Sequence, residues 1–253
     1  MLETYIKNRL TEKDILLMTH IVLGYPSMET SMEIVAAMVD AGVDLIELQI
    51  PFSEPIADGP VILRANQIAL ASGVTVKQCL ETAGKMARAF DIPFLLMTYY
   101  NILFKYGVAP FAAVMKANAL RGAIVPDLPP EESEAYLSAM KANGLAPIYI
   151  FSPTTALKRM KLIAEVGSGF IYCVARKGVT GAETDFSAGL ETYIQQCRSA
   201  TNLPLALGFG VRQRDEIDFL KGKADIAVIG SEMIRRIEAH GVGAVKPFIS
   251  SLR

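Results

Sequence analysis

The chain is poor in the residues that build metal sites and disulfide frameworks. Its 253 residues include three cysteines, Cys79, Cys173 and Cys197, without CxxC or metal-type spacing, and two histidines, His20 and His240. So few histidines argue against a His-rich zinc site, and no metal is expected. Three scattered thiols read as buried free cysteines in a reducing cytoplasm. Nor does any stretch approach the roughly 18 apolar residues of a membrane helix, so no membrane span is expected. The first ten residues carry Glu3, Lys7 and Arg9 and have no apolar core of a secretion signal. A net charge of −1 supplies no basic surplus for nucleic acid.

Apolar residues, by contrast, make up 51% of the chain, and mean hydropathy is +0.32. Such richness suits parallel strands covered on both faces. Short apolar, β-branched runs occur at Leu16 to Leu23, Val43 to Ile50, Pro93 to Thr98 and Gly122 to Val125. Others follow at Ala146 to Phe151, Gly169 to Val174, Leu205 to Phe209 and Asp225 to Ile229. Helical patterns lie between them, such as Met32-Val35-Ala36-Val39, Val76-Leu80-Ala83-Met86-Ala87 and Ala135-Leu137-Met140. Strand followed by helix, repeated, means a parallel sheet with right-handed crossovers. Eight repeats in this length favour a closed (β/α)8 TIM barrel over an open doubly wound sheet. No linker or composition shift divides the chain. The expectation is one α/β domain over residues 1–253, with an extra N-terminal helix over residues 2 to 10.

In such a barrel the chemistry sits at the C-terminal ends of the strands. Glu47 lies near the end of the second run, and Asp58 follows eleven residues later in a Pro/Gly loop. Two carboxylates in different surroundings can take different protonation roles. Alternation puts Glu47 and Gln49 on one face with Val43 and Leu45, but does not say which face points into the barrel. Inward, an apolar barrel mouth would suit Glu47 to give and take protons. Glycine turns follow the last three strands: Arg176-Lys177-Gly178-Val179-Thr180-Gly181, Gly208-Phe209-Gly210, and Gly230-Ser231 opening a helix over Glu232 to Ala239. Together they predict a phosphate site, because glycine backbone and a helix N-terminus both favour an anion. Arg176 to Ser187 reads equally as a lid or as a solvated loop. Tyr172 could reach the pocket or simply pack.

These residues carry a resemblance. From Ile46-Glu47-Leu48-Gln49-Ile50-Pro51-Phe52-Ser53-Glu54-Pro55-Ile56-Ala57-Asp58-Gly59-Pro60 the match continues through Leu96 to Asn101, Ile124 to Glu132 and Ser152-Pro153-Thr154-Thr155. It runs on through Tyr172 to Gly181, Gly208-Phe209-Gly210 and Val228-Ile229-Gly230-Ser231. The chain resembles the tryptophan synthase α subunit along essentially its whole length. The resemblance implies a lyase of tryptophan biosynthesis that cleaves indole-3-glycerol phosphate to indole and glyceraldehyde 3-phosphate by a retro-aldol reaction. Glu47 matches the catalytic acid and base, and Asp58 the carboxylate that accepts the indole N–H. Tyr172 matches a pocket residue. Gly181, Gly210, Gly230 and Ser231, with Phe209 between Gly208 and Gly210, match the phosphate site, and Thr180 matches a lid residue that contacts Asp58. The resemblance implies no cofactor in this chain. Pyridoxal phosphate would belong to a partner β subunit in an α2β2 complex, docked on the Pro51 to Pro60 loop and the Asn101 region.

Four positions depart from the family pattern. Gln49 stands where glycine is usual, His20 where an aromatic or apolar residue lines the indole pocket, Tyr25 and Glu54 where aspartates are usual. Gln49 and His20 are therefore added to the candidate substrate-binding residues. They also motivate a second reading, a barrel lyase or isomerase acting on another phosphorylated substrate. A third is a subunit that mainly activates its partner, which the presence of both Glu47 and Asp58 speaks against.

Overall fold

The computed structural model describes residues 1–175 and 183–253, and the side chains of 183–188 are not considered. Helix α1 (Leu2–Arg9) leads into β1 (Leu16–Val22), α2 (Met28–Asp40) and β2 (Leu45–Gln49). Two helices, α3 (Pro60–Ala71) and α4 (Val76–Ala89), precede β3 (Phe94–Met97), and two more, α5 (Tyr100–Tyr106) and α6 (Val108–Ala117), precede β4 (Gly122–Ile124). The chain continues through α7 (Glu134–Asn143), β5 (Ala146–Phe151), α8 (Leu157–Val166), β6 (Ile171–Val174) and α9 (Glu183–Ala200). It ends with β7 (Leu205–Gly208), α10 (Arg214–Leu220), β8 (Ile226–Ile229), α11 (Ser231–His240) and α12 (Val245–Ser251).

Each strand pairs in parallel with the next, and β8 returns to β1, closing the barrel. All eight expected strands are present, trimmed by a residue or two at their ends, and the N-terminal helix is there. The doubled helices after β2 and β3 were not anticipated. Nor was the full buried face of α2, Ser31, Ile34, Val35 and Met38, which shares Val35 with the expected stripe, while Met32 and Val39 of that stripe pack partly buried against the core. Residues 34–39 are apolar all round, so their periodicity does not select a face. Ser31 decides it by accepting the Gly24 N–H at 3.0 Å.

Alternation sorts the strand residues into two cores. Leu17, Ile21, Ile46, Leu48, Leu96, Leu207 and Ile229 point outward into the layer shared with the helices. Leu16, Met18, Leu45, Leu95, Ile148, Phe170, Ala206, Ile226 and Val228 point inward and fill the barrel. Leu2 and Ile6 of α1 join the inner core and plug its N-terminal end. Cys79, Cys173 and Cys197 are buried and free, as expected.

At that lower end Asp44, 1% exposed, gathers the chain termini. Its Oδ1 faces Lys13 at 2.5 Å and Arg9 at 3.4 Å, and its Oδ2 accepts the Leu17 N–H at 3.0 Å with Arg253 at 3.7 Å. Removing the carboxylate would leave the cations partly solvated, so the main loss is the buried N–H. Asp44→Ala should cost about 2 kcal/mol of stability, read from urea unfolding. Activity per folded molecule should stay as in the wild type, because this end is remote from the barrel mouth.

Candidate active site

The inward-facing rows change character at the C-terminal end. On β1 the row runs Leu16, Met18, His20, and on β2 Leu45, Glu47, Gln49. On β6 Phe170 is followed by Tyr172, and on β8 Val228 is followed by Gly230. The open question of Glu47's direction is thereby answered, since it shares the inward parity of Leu45. Register then places His20 directly opposite Glu47 on the neighbouring strand.

His20 and Glu47 are only 4% and 3% exposed, and Nδ1 lies 3.2 Å from Oε1. Burial works against a charged imidazole, but Glu47, Asp58 and Gln49 together outweigh it, Glu47 foremost. The result holds His20 above its ordinary value. Gln49 is fully buried, and its Nε2 donates to Asp58 Oδ2 at 2.6 Å. Burial raises the Asp58 carboxyl above its usual range, although the Gln49 bond and His20 pull the other way. Each carboxylate thus has its own side-chain partner. Three polar atoms in this group, His20 Nε2, Glu47 Oε2 and Gln49 Oε1, are buried without a hydrogen-bond partner among the described residues. Such atoms await a polar ligand or water.

Tyr172 does reach the pocket. A Cβ built on Gly208 would lie 3.1 Å from its Cε1 and 3.3 Å from its Oη, so glycine there lets the ring lie close without displacement. Burial, with the charges of Glu47 and Asp58, pushes its phenol well above the ordinary value, so it stays a neutral donor.

Sequence reasoning overlooked the residues that hold the Asp58 loop. Tyr99 Oη accepts the Ala57 N–H at 3.1 Å, and its ring stacks on Phe52 at 5.0 Å. Asn66, fully buried on α3, accepts the Phe52 N–H at 2.9 Å through Oδ1 and approaches Gln49 Nε2 at 3.4 Å. The available signal was an asparagine within an otherwise apolar helical stripe of Ile62, Ala65 and Ala69. Asp127 accepts the Tyr100 N–H at 2.8 Å and fixes the start of α5.

Across the mouth, Gly230 caps α11, and among the described residues no side-chain hydrogen bond caps that helix end. Glu232, in the first turn, is turned to Arg235 and Arg236 instead. The leading N–H groups with Ser231 can therefore face an anion. Gly210 sits at φ +88° with open space where a side chain would be, and Phe209 is buried in the outer core, leaving only its backbone for a ligand. Thr180, Gly181 and the Arg176–Lys177 pair lie outside the described residues. Tyr25 donates its hydroxyl to Glu238 of α11, and burial with that carboxylate pushes its phenol up to about 12. Two cavities, of about 300 and 420 Å³, open at the opposite end around Leu2 and Arg121, far from these groups.

Two pH effects follow. Glu47→Gln removes the largest of the charges that oppose the effect of burial, so His20 should titrate at lower pH in that variant. NMR of the imidazole, with His240 as reference, would register it, and an unchanged midpoint would contradict the pairing. Asp58 is harder to ionise folded than unfolded, so its ionised form subtracts stability above the folded midpoint. Asp58→Asn, which keeps an acceptor for Gln49, should therefore raise the thermal midpoint at pH 7. The gain should vanish below the unfolded carboxylate value of about 4.

A family model described as the tryptophan synthase alpha chain matches residues 6–247. Tryptophan synthase alpha chains of Syntrophotalea carbinolica and Desulforapulum autotrophicum are 64% identical over 253 residues and 63% over 252, covering 100% of both chains in each case. Among solved structures, the tryptophan synthase subunit alpha of Legionella pneumophila str. Paris superposes with a TM-score of 0.90 at 29% identity, covering 99% of this chain and 96% of that one. The aminoacrylate-bound tryptophan synthase of M. tuberculosis gives 0.90 at 26%, covering 99% and 97%. Because the identity spans the barrel from end to end, the chain belongs to the tryptophan synthase alpha chain family.

Proposed function

We propose that Glu47 and Asp58 carry the lyase reaction of this family, the cleavage of indole-3-glycerol phosphate to indole and glyceraldehyde 3-phosphate in tryptophan biosynthesis. The observation that carries the assignment is the inward Glu47, buried with one free carboxyl oxygen beside a second carboxylate. The bond to be broken joins the indole ring to the first glycerol carbon. The ring carbon must gain a proton, and the hydroxyl on that glycerol carbon must lose one as its C–O becomes an aldehyde. The bond's electron pair then returns to the ring. Glu47 serves both proton transfers from one position. Asp58 accepts the indole N–H and stabilises the positive charge that grows on the protonated ring. Gln49 and the Tyr99 anchor hold Asp58 for that task. Tyr172 packs along the substrate, and the α11 N-terminus with Gly210, Gly230 and Ser231 takes the phosphate. Thr180 and Gly181 complete the set by family position alone.

The whole chain acts as one domain, in the cytoplasm, and this subunit uses no cofactor of its own. A tryptophan synthase β subunit carrying pyridoxal phosphate is the partner, in an α2β2 assembly. Support for a docking face comes from Ile56 in the β2–α3 loop and Phe104 on α5, 79% and 71% exposed, in adjacent units at the end of the barrel where the substrate enters. Exposed apolar side chains of this size mark a contact surface better than isolated polar ones.

The deciding assay is indole release from indole-3-glycerol phosphate, with and without a β subunit. Glu47→Gln should lower kcat by about a thousandfold and Asp58→Asn by about a hundredfold, the sizes expected for a general acid–base group and an electrostatic stabiliser. Turnover near the wild-type rate in Glu47→Gln would remove Glu47 from its role.

A further inference from the structure

The barrel's strand order determines the path a phosphorylated chain must take. The anion seat lies at the ends of β7 and β8, Glu47 stands on β2, and β1 lies between β8 and β2. His20 occupies that intermediate position. A Cβ built on Gly230 would lie 3.8 Å from the His20 Cβ, and His20 is the register partner of Glu47. A substrate with its phosphate at the α11 N-terminus and its breaking bond at Glu47 therefore lays the intervening carbon across His20. In indole-3-glycerol phosphate that carbon bears the hydroxyl that does not react.

The imidazole has one atom free to meet it. Nδ1 faces Glu47 at 3.2 Å, whereas Nε2 is buried without a partner in a residue 4% exposed. A buried nitrogen left unpaired is a standing penalty that a ligand hydroxyl would remove. Glu47 Oε2, also unpartnered, remains for the hydroxyl that reacts. We propose that His20 Nε2 is a hydroxyl-binding subsite for the middle carbon of the glycerol chain, which makes His20 a specificity-determining residue of this enzyme. The assignment rests on the proposed cleavage of indole-3-glycerol phosphate. Pairing with Glu47 favours the imidazolium, whose Nε2–H is a donor, and a charged donor to a hydroxyl is stronger than a neutral one. The two neighbouring hydroxyls are then held by the two ends of one ion pair.

The test separates hydroxyl recognition from pocket shape. KM and kcat for indole-3-glycerol phosphate are measured in wild type, His20→Phe and His20→Gln, together with the Kd of indole-3-propanol phosphate, which has ring and phosphate but no hydroxyl. His20→Phe should raise KM for the substrate about tenfold, the size of one lost charge-assisted hydrogen bond. Its Kd for the propanol phosphate should stay within about twofold. His20→Gln, which restores a donor, should recover most of the difference, and it stands alone as the measure if the Phe variant does not fold. Equal weakening of both ligands, no change in either, or a Gln variant without hydroxyl discrimination would overturn the subsite. In those cases wild-type turnover still stands for the cleavage reading. Absence of wild-type turnover would overturn that reading and this inference with it.

Discussion

Strand β1 is hydrogen-bonded on both edges, to β2 at one side and to β8 at the other, and the site depends on this double pairing. The β2 ladder puts His20 opposite Glu47. The β8 ladder brings Gly230 and the start of α11 against the same histidine. An open sheet with the same strands would leave β8 and β1 on distant edges, and the anion seat would be unable to share a ligand with the carboxylates. Closure is therefore a chemical requirement as well as a way of removing exposed strand edges.

Within the closed barrel, burial makes the two carboxylates unlike. Glu47 is inside the mouth, paired to an imidazole and stripped of water. Asp58 comes in on a loop from above, takes a hydrogen bond from Gln49, and keeps some contact with solvent. The loop would be too irregular to place a carboxylate by itself. Its position comes from Tyr99 and Asn66, one on the neighbouring strand's end and one on the following helix, each bonded to a backbone N–H of the loop. Two side chains with no role in proton transfer thus decide where the second charge sits.

The polar atoms left unpaired at the mouth are costly to the empty protein, which offsets them with a large and well-divided core. Two separate apolar layers, one inside the barrel and one between barrel and helices, supply it. Such buried orphan atoms are common at functional sites, where local rules give way to chemistry. Here His20 Nε2, Glu47 Oε2 and Gln49 Oε1 converge from two adjacent strands, which is the pattern expected of a binding pocket.

Much of the architecture was legible in the residues. Eight apolar runs separated by amphipathic segments specify parallel strands and helices through hydrophobic period alone, and a carboxylate near the end of such a run marks a barrel mouth. The glycines after β7 and β8 were also readable, because glycine turns recurring after consecutive strands let backbone N–H groups approach an anion, and Gly210 has the positive φ that favours the residue. What period could not decide was direction. A strand alternates equally well with either face inward, so the placement of Glu47 and Gln49 in the barrel required the inner core of Leu16, Met18 and Leu45 to be seen. Residues 34–39 of helix α2, apolar all round, left its buried face to Ser31. The contacts of His20 with Glu47, Gln49 with Asp58, and Tyr99 with Ala57 join residues distant in the chain. Local sequence sets the elements because their hydrogen bonds and periodicity are local. Tertiary structure alone sets these pairs, because only closure of the barrel and the depth of burial decide which polar groups meet.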